Sequence, residues 1–510
     1  MNKTAFGGLF LIVLCGGVLL RAPGLRLRPM HHDEANQAVK FGLLLEKGEY
    51  RYDPADHHGP TLTYLTLPIA WATAKPTLAS LDEATLRLLP VLFGVGVILL
   101  LLLFARCLGR PAVLFAGLCA ALSPAFVYYS RFYIQEMMFV FFCLVFIGSL
   151  WRYLEQPGPG WAIASGIFAG LMFATKETSL IIFAAGAGAL VLSRIVQKKT
   201  NAEPAEPATV RSAHLILALA AAVVMAALFF SSFFVNPKGI VDSLLAFPSY
   251  FAKGGTAGFH LHPWWYYLGL LTYARSGGLV WSEALVLALA CLGILSAALK
   301  RNRFAVFLSF YAILTLAVFS LIPYKTPWNL LPFYAGIILL AGIGAAFIFE
   351  RVQKKYLKVP IGLLLVLGFT HLGWQSYQAN FRYHSDPRNP YVYAQTSMDY
   401  PKLVRRVDEL AALHPDRERL LIKVVCGLYE TWPLPWSLRR YERVGYWTDT
   451  NVAGGFEDAP IVIASQDIAE KIGPLLKDKF QAEFYGLRPD VLLTLFIRND
   501  LWEKFIKLKY

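Results

Sequence analysis

Residues 4–37 read TAFGGLFLIVLCGGVLLRAPGLRLRPMHHDEANQ. An apolar run over residues 4–21 ends at Arg21, and a basic connection then leads to two histidines and two carboxylates. A helix rises about 1.5 Å per residue, so the run has the length to cross a hydrocarbon core of about 30 Å. Arg21-Ala-Pro-Gly offers no small-residue cleavage site, so the run reads as a retained first helix rather than a signal peptide. Its far end delivers HHDEANQ, His31 to Gln37, to the membrane interface.

Ten further runs have the same character: residues 85–105, 111–129, 132–151, 160–175, 178–196, 213–235, 279–299, 304–322, 328–349 and 359–378. The expectation is a polytopic α-helical membrane protein of about eleven spans. Composition agrees, since 56% of the 510 residues are hydrophobic and 16% are charged, against about 25% charged in soluble domains. A disordered chain is excluded and a soluble enzyme disfavoured. Five of the six cysteines, Cys15, Cys107, Cys119, Cys143 and Cys291, lie in apolar runs, and Cys426 alone cannot staple a domain.

The net charge of +14 invites a nucleic-acid reading. With the N-terminus taken as cytoplasmic, however, alternate connections carry Arg106 and Arg110, Arg152, then Arg194, Lys198, Lys199 and Arg211. Lys300, Arg301 and Arg303 follow, then Arg351, Lys354, Lys355 and Lys358. Cytoplasmic loops are expected to be basic, so much of the charge is topological. No nucleic-acid motif accompanies it. The odd span count places residues 380–510 on the extracytoplasmic side of the cell (inner) membrane. Two regions are therefore expected: a membrane domain over residues 1–379 and a small extracytoplasmic α/β domain over 380–510.

The first outer loop, residues 22–84, holds an amphipathic stretch from Glu34 to Leu45 and an apolar one from Thr61 to Ala74, both expected as interfacial helices. The loop from Asn236 to Ser282 contains the Gly-rich stretch Lys253 to Gly258 and the cluster Trp264, Trp265, Tyr266 and Tyr267, suited to the headgroup belt. Thr200 to Arg211 is a Pro- and Ala-rich linker. In the C-terminal region, β-like runs at Leu420–Val425, Ile461–Ala464 and Val491–Ile497 alternate with helical spacing at Lys402–Leu413 and Gln466–Leu475.

Ionisable groups at a membrane edge are costly, so their placement is informative. Four clusters fall on the expected outer side: HHDEANQ; Asp53, Asp56, His57 and His58; Tyr128 to Glu136, YYSRFYIQE; and Lys176, Glu177 with the PYKTPW turn, Pro323 to Trp328. Asp33 can serve as a general base or hold a divalent cation, or it can cap an interfacial helix. His31, His32, His57 and His58 share its loop but match no zinc spacing, so a divalent metal on Asp33, His31 and His58 is an open alternative to histidines that hydrogen-bond a phosphate. Arg131 and Gln135, four apart, are expected on one helical face. Arg131, Lys176 and Lys325 are cations where few are expected; they can snorkel to headgroups, or they can hold a phosphate. Lys176 and Glu177 can also pair with each other. Tyr324 and Trp328 read as belt anchors or sugar-stacking surfaces, with the belt favoured.

The Asp33-Glu34 pair in a long first outer loop with interfacial helices, the SRFYIQE segment between the third and fourth spans and the outward C-terminal domain resemble the GT-C class of membrane glycosyltransferases. HHDEA at His31–Ala35, PYKTPWNLLPF and WPLPWSLRRY at Trp432–Tyr441 resemble a prokaryotic subfamily of it. The likeness is to the branch of protein O-mannosyltransferases and lipid A aminoarabinose transferases, and some archaeal members of the subfamily are named flippase-associated proteins. The resemblance implies a polyisoprenyl-phosphate-linked sugar donor, a protein, lipid or glycan acceptor, and inversion at the anomeric centre. Asp33 would then be the catalytic carboxylate with Glu34 supporting it, and Glu136 would stand where related chains more often have Asp. Arg131, Lys176 and Lys325 would bind the donor phosphate, and His32, His57, His58, Gln135, Tyr324 and Trp328 would face substrate. A lipid-linked glycan transporter would instead place charges midway along spans. A non-catalytic assembly protein that kept the fold is the other alternative.

Overall fold

The computed structural model describes residues 1–54, 58–199, 210–253, 260–427 and 429–509. His57, Asp56, most of the 200–211 linker and the stretch 254–258 lie outside the described residues. The chain opens with α1 (Lys3–Arg21), after which α2 (His32–Lys47) and α3 (Thr61–Ala72) precede α4 (Glu83–Leu100) and its continuation α5 (Ala105–Leu108). Then come α6 (Arg110–Leu122), α7 (Pro124–Ser130), α8 (Glu136–Glu155), α9 (Pro159–Phe173), α10 (Ser179–Lys199) and α11 (Ser212–Phe230). α12 (Lys238–Lys253), α13 (Tyr266–Thr272) and the hairpin of β1 (Ala274–Ser276) and β2 (Leu279–Trp281) lead to α14 (Ala284–Lys300), α15 (Arg303–Leu321), α16 (Leu331–Arg351) and α17 (Lys355–Tyr377). Among the described residues, eight helices are long and apolar enough to cross a membrane, and the bent pair α6–α7 would make a ninth. The shorter apolar helices α9 and α14 occupy the other two expected positions.

The α6–α7 bend, 61°, follows from Pro124. Proline has no N–H to give the Ala120 carbonyl, and Ala125 N–H goes to Glu283 Oε1 at 3.0 Å instead of Ala121. The two freed carbonyls are taken by Arg21, whose Nη2 reaches Ala120 O at 2.7 Å and Nη1 reaches Ala121 O at 3.1 Å. Glu283 is fully buried and also accepts the hydroxyls of Tyr334 and Tyr391, each at 2.6 Å. A buried arginine and a buried glutamate thus complete the hydrogen bonding of one kink, as low-dielectric surroundings demand.

α16 is the central helix, and most of its residues are buried. It packs backbone to backbone: a Cβ at Gly344 would stand 1.8 Å from Leu289 O, and one at Gly342 would stand 2.2 Å from Ala112 O. α9 meets α11 the same way through Gly166 and Gly170, whose added Cβ atoms would strike Ala218 O and Ala222 O. Small residues let helices approach where lipid provides no hydrophobic drive for their association.

The C-terminal region comprises α18 (Tyr400–Leu413), β3 (Ile422–Val425), α19 (Leu434–Ser437), β4 (Val444–Trp447), β5 (Ile461–Ser465), α20 (Gln466–Leu476), β6 (Phe480–Arg488), β7 (Val491–Arg498) and α21 (Asn499–Lys509). The sheet order is β4-β3-β5-β7-β6, with β4, β3 and β5 parallel and β7 and β6 antiparallel to their neighbours. Side chains alternate between faces along a strand. Ile422, Val424, Ile461 and Ile463 accordingly pack with Leu403, Val407 and Phe505 of α18 and α21, while Val425, Val462 and Ala464 pack with Ile468 and Ile472 of α20. β4, β6 and α21 are not apolar runs in the sequence: β4 is a four-residue edge strand containing Gly445, and β6 interrupts its apolar residues with Gln481 and Glu483.

Candidate active site

Glu34 lies in the first turn of α2, and its carboxylate is fully buried. Arg87 of α4 clamps it with two N–H groups, Nε to Oε1 at 2.8 Å and Nη2 to Oε2 at 2.6 Å. The backbone N–H groups of Tyr133 and His31 add bonds at 2.8 and 3.0 Å. Burial opposes the charge, but Arg87, Arg28 and these donors outweigh it and hold the carboxyl at about 2. Glu34 therefore ties the first loop to the bundle. Both its oxygens are occupied, where the sequence reading has it supporting Asp33.

His31 caps α2: its Nδ1 accepts from Asp33 N–H at 3.1 Å, and Nε2 faces the Tyr393 carbonyl at 3.0 Å. Those partners require the neutral Nε2–H tautomer, and burial, with His32 beside it, pushes its pKa down to about 3. His32 Nε2 stands 2.9 Å from Asp33 Oδ1. Asp33 keeps 16% of its side chain exposed, where Glu34 keeps none. Ligand atoms of His31, His32 and Asp33 lie within 4.8 Å of one another. His31 uses both ring nitrogens elsewhere, so His32 and Asp33 are the two side chains of this group that fit a cation. His58, expected with them, instead pairs with Glu177 at 2.9 Å.

The PYKTPW turn and the strand-like segment 260–262 form a wall beside Asp33. Lys325 N–H donates to His260 O at 2.8 Å and His262 N–H to Pro323 O at 3.1 Å. The Tyr324 ring lies 4.5 Å from that of His260, and His260 Nδ1 shares a 2.6 Å hydrogen bond with the Tyr393 hydroxyl. Burial, with the Asp33 carboxylate next, pushes Tyr324 up to about 12, and Asp33 also acts on His260. Trp328 contacts the rings of His31, Tyr129, Phe132 and Tyr393 edge-on or tilted. Tyr324 and Trp328 therefore belong to an aromatic wall around the Asp33 turn, where the sequence favoured belt anchors.

The cations expected at a phosphate are already engaged. Arg131 donates to the carbonyls of Arg21, Pro23 and Gly24 at 2.6–3.0 Å, capping the end of α1, and lies over the Phe381 ring. Lys325 Nζ gives two hydrogen bonds to the carbonyls of His262 and Ile322. Lys176 pairs with Glu136, not with Glu177, and donates to Asn329 Oδ1 at 2.7 Å. Residues 131–135 are a non-helical break between α7 and α8, so Arg131 and Gln135 share no helical face. Gln135 Nε2 and Glu136 Oε2 are buried without a hydrogen-bond partner among the described residues. The residues expected to converge are thus divided: Asp33 acts on Tyr324, Glu136 pairs with Lys176, Lys325 turns to the His262 and Ile322 carbonyls, and Arg131 caps α1. The turn 324–329 touches His260 at one end and Lys176 at the other.

Sequence reasoning passed over Arg28, Arg87, His260 and Tyr393. Arg87 gave a signal, a charge in the first turns of an apolar helix. The rest are placed only by chain crossings far apart in sequence.

Residues 69–230, from α3 to the end of α11, match the family described as dolichyl-phosphate-mannose-protein mannosyltransferase. No curated protein sequence matches the chain. Among solved structures, ArnT from Cupriavidus metallidurans, apo and bound to undecaprenyl phosphate, is 16% identical with a TM-score of 0.63, over 97% of this chain and 98% of that one. The apo oligosaccharyltransferase of Archaeoglobus fulgidus is 14% identical with a TM-score of 0.56, over 99% and 77% of the two chains. Through this whole-chain likeness and the matched segment within it, the protein takes its place among chains with the GT-C membrane glycosyltransferase fold.

Proposed function

We propose that the protein is a glycosyltransferase that moves a sugar from a polyprenyl-phosphate donor to an acceptor at the extracytoplasmic face of the cell membrane. The similar ArnT structure is described with undecaprenyl phosphate, and an archaeal oligosaccharyltransferase with dolichol phosphate. The single observation that carries the reading is the division of labour in the Asp33-Glu34 pair: Glu34 is locked onto Arg87, and the Asp33 carboxylate acts on Tyr324 and His260 of the wall. The basic connections on the opposite side support the orientation.

Asp33 takes the proton of an acceptor hydroxyl or amine as that group attacks the anomeric carbon. The bond between the sugar and the phosphate oxygen breaks, and the lipid phosphate departs with the bonding pair. Attack opposite the leaving group inverts the anomeric centre. His32 and Asp33 would hold a divalent cation, which would supply positive charge to the departing phosphate. The region 1–379 carries this chemistry, and 380–510 forms a separate unit docked over it.

Asp33→Asn keeps the size of the side chain and removes the base. Transfer of radiolabelled sugar from polyprenyl-phosphate donors to cell-envelope acceptors by the purified protein should fall about 100-fold or more. Undiminished transfer by the variant would remove Asp33 from the chemistry.

A further inference from the structure

Arg131, Lys176 and Lys325, nominated for a phosphate, are engaged by carbonyls, a carboxylate and an amide oxygen, and this leaves open which cation an anionic substrate would meet near Asp33. Arg488 has the required properties. It ends β6, just before the turn at Pro489 and Asp490, and is half-buried. Among the described residues its guanidinium donates one hydrogen bond, Nη2 to the Tyr429 carbonyl at 2.6 Å. A guanidinium has five N–H donors, so the remaining ones are available. Burial lowers the pKa of its guanidinium, and the carboxylates of Glu430 and Asp33 act against that.

Its position is built rather than incidental. Ser397 N–H donates to Leu487 O at 2.8 Å, and the Asp399 carboxylate accepts Gly486 N–H at 2.8 Å, fixing the end of β6 to the 393–399 segment. That segment is bonded in turn to the entry of α2. Gln395 Nε2 reaches Pro29 O at 2.9 Å, Thr396 Oγ1 reaches Met30 O at 2.7 Å, and Tyr393 O faces His31 Nε2. A short chain of hydrogen bonds therefore sets Arg488 relative to Asp33.

We propose that Arg488, contributed by the C-terminal domain, binds a phosphate group of the substrate beside Asp33. The proposal rests on sugar transfer at Asp33. A planar guanidinium anchored through one nitrogen can give a phosphate two parallel N–H groups. The phosphate can belong to the lipid donor or to the acceptor.

The test uses the full chain in lipid nanodiscs, with polyprenyl monophosphate and the polyprenol of equal length as probes, and with acceptor kinetics in the transfer assay. For a donor phosphate, Arg488→Gln should weaken polyprenyl monophosphate binding about tenfold and flatten its salt dependence, leave polyprenol binding unchanged, and be partly rescued by Arg488→Lys. For an acceptor phosphate, lipid binding should stay at the wild-type level while acceptor KM rises about tenfold at constant kcat. Wild-type lipid binding together with wild-type acceptor KM in Arg488→Gln overturns the proposal. Loss of every readout in Arg488→Gln with no rescue in Arg488→Lys, at a lowered unfolding temperature, also overturns it, because it marks a structural role. Failure of the proposed function is distinguishable: the wild-type protein would then transfer no sugar, and normal transfer by Asp33→Asn would remove Asp33 from the chemistry, whatever Arg488 does to lipid binding.

Discussion

Neighbouring carboxylates in one helical turn point about 100° apart, and α2 uses that rotation to give Asp33 and Glu34 opposite fates. Glu34 turns into the bundle onto Arg87, while Asp33 stays at the rim beside His32. The pairing predicts an asymmetric response to mutation. Arg87→Met leaves a buried, uncompensated carboxylate and should cost about 3–5 kcal/mol, seen as a lower thermal unfolding midpoint. Arg87→Met combined with Glu34→Gln should recover a large part of that loss, because the charge disappears with its partner. Additive losses in the double variant would mean that the two side chains do not act as a unit. The dipeptide was legible in the sequence as a candidate site. Which of its two acids was exposed was not, because the partner that decides it lies 53 residues away.

At the scale of elements, hydrophobic runs located the membrane helices well, because eleven apolar stretches became eleven helical positions within a few residues. The exceptions have local causes. The third run bends at Pro124, and the fourth begins at Glu136 rather than residue 132 because 131–135 is a break. Arg21 joins α1 to that bend. Arg21→Met should orphan the Ala120 and Ala121 carbonyls at about 1–3 kcal/mol each, lowering the unfolding midpoint more than Arg26→Met does at the exposed Asp82 pair. Equal effects of the two substitutions would contradict the account of the kink.

Across the whole molecule, the WPLPWSLRRY segment is a docking element. Trp436, 1% exposed, donates Nε1 to Glu83 Oε1 at 2.9 Å, and Arg439 stacks on its ring and reaches Leu81 O at 2.7 Å. The contact holds the C-terminal sheet against the first loop, over the entry to α2. Trp436→Ala removes a large buried side chain at about 3–5 kcal/mol. Limited proteolysis within residues 384–399 should then accelerate about tenfold, while the membrane bundle stays intact. Unchanged cleavage would show that the domain is held by other contacts.

The sequence by itself determined the class of the molecule, the positions of its long apolar helices, the two helices of the first loop and the central strands β3, β5 and β7. All of these are runs of like chemistry, and burial of an apolar run is a local, periodic property. It also singled out the Asp33 turn, since a carboxylate beside a span is costly wherever the chain goes next. Only the tertiary structure decided which charges were occupied. Arg131, Lys176 and Lys325 look alike as isolated cations, and each found carbonyls or a carboxylate on a distant segment. Arg488, in an unremarked strand end, donates a single hydrogen bond among the described residues, to the Tyr429 carbonyl. Whether a buried charge is satisfied depends on partners brought in by chain crossings, and no period in the sequence records them.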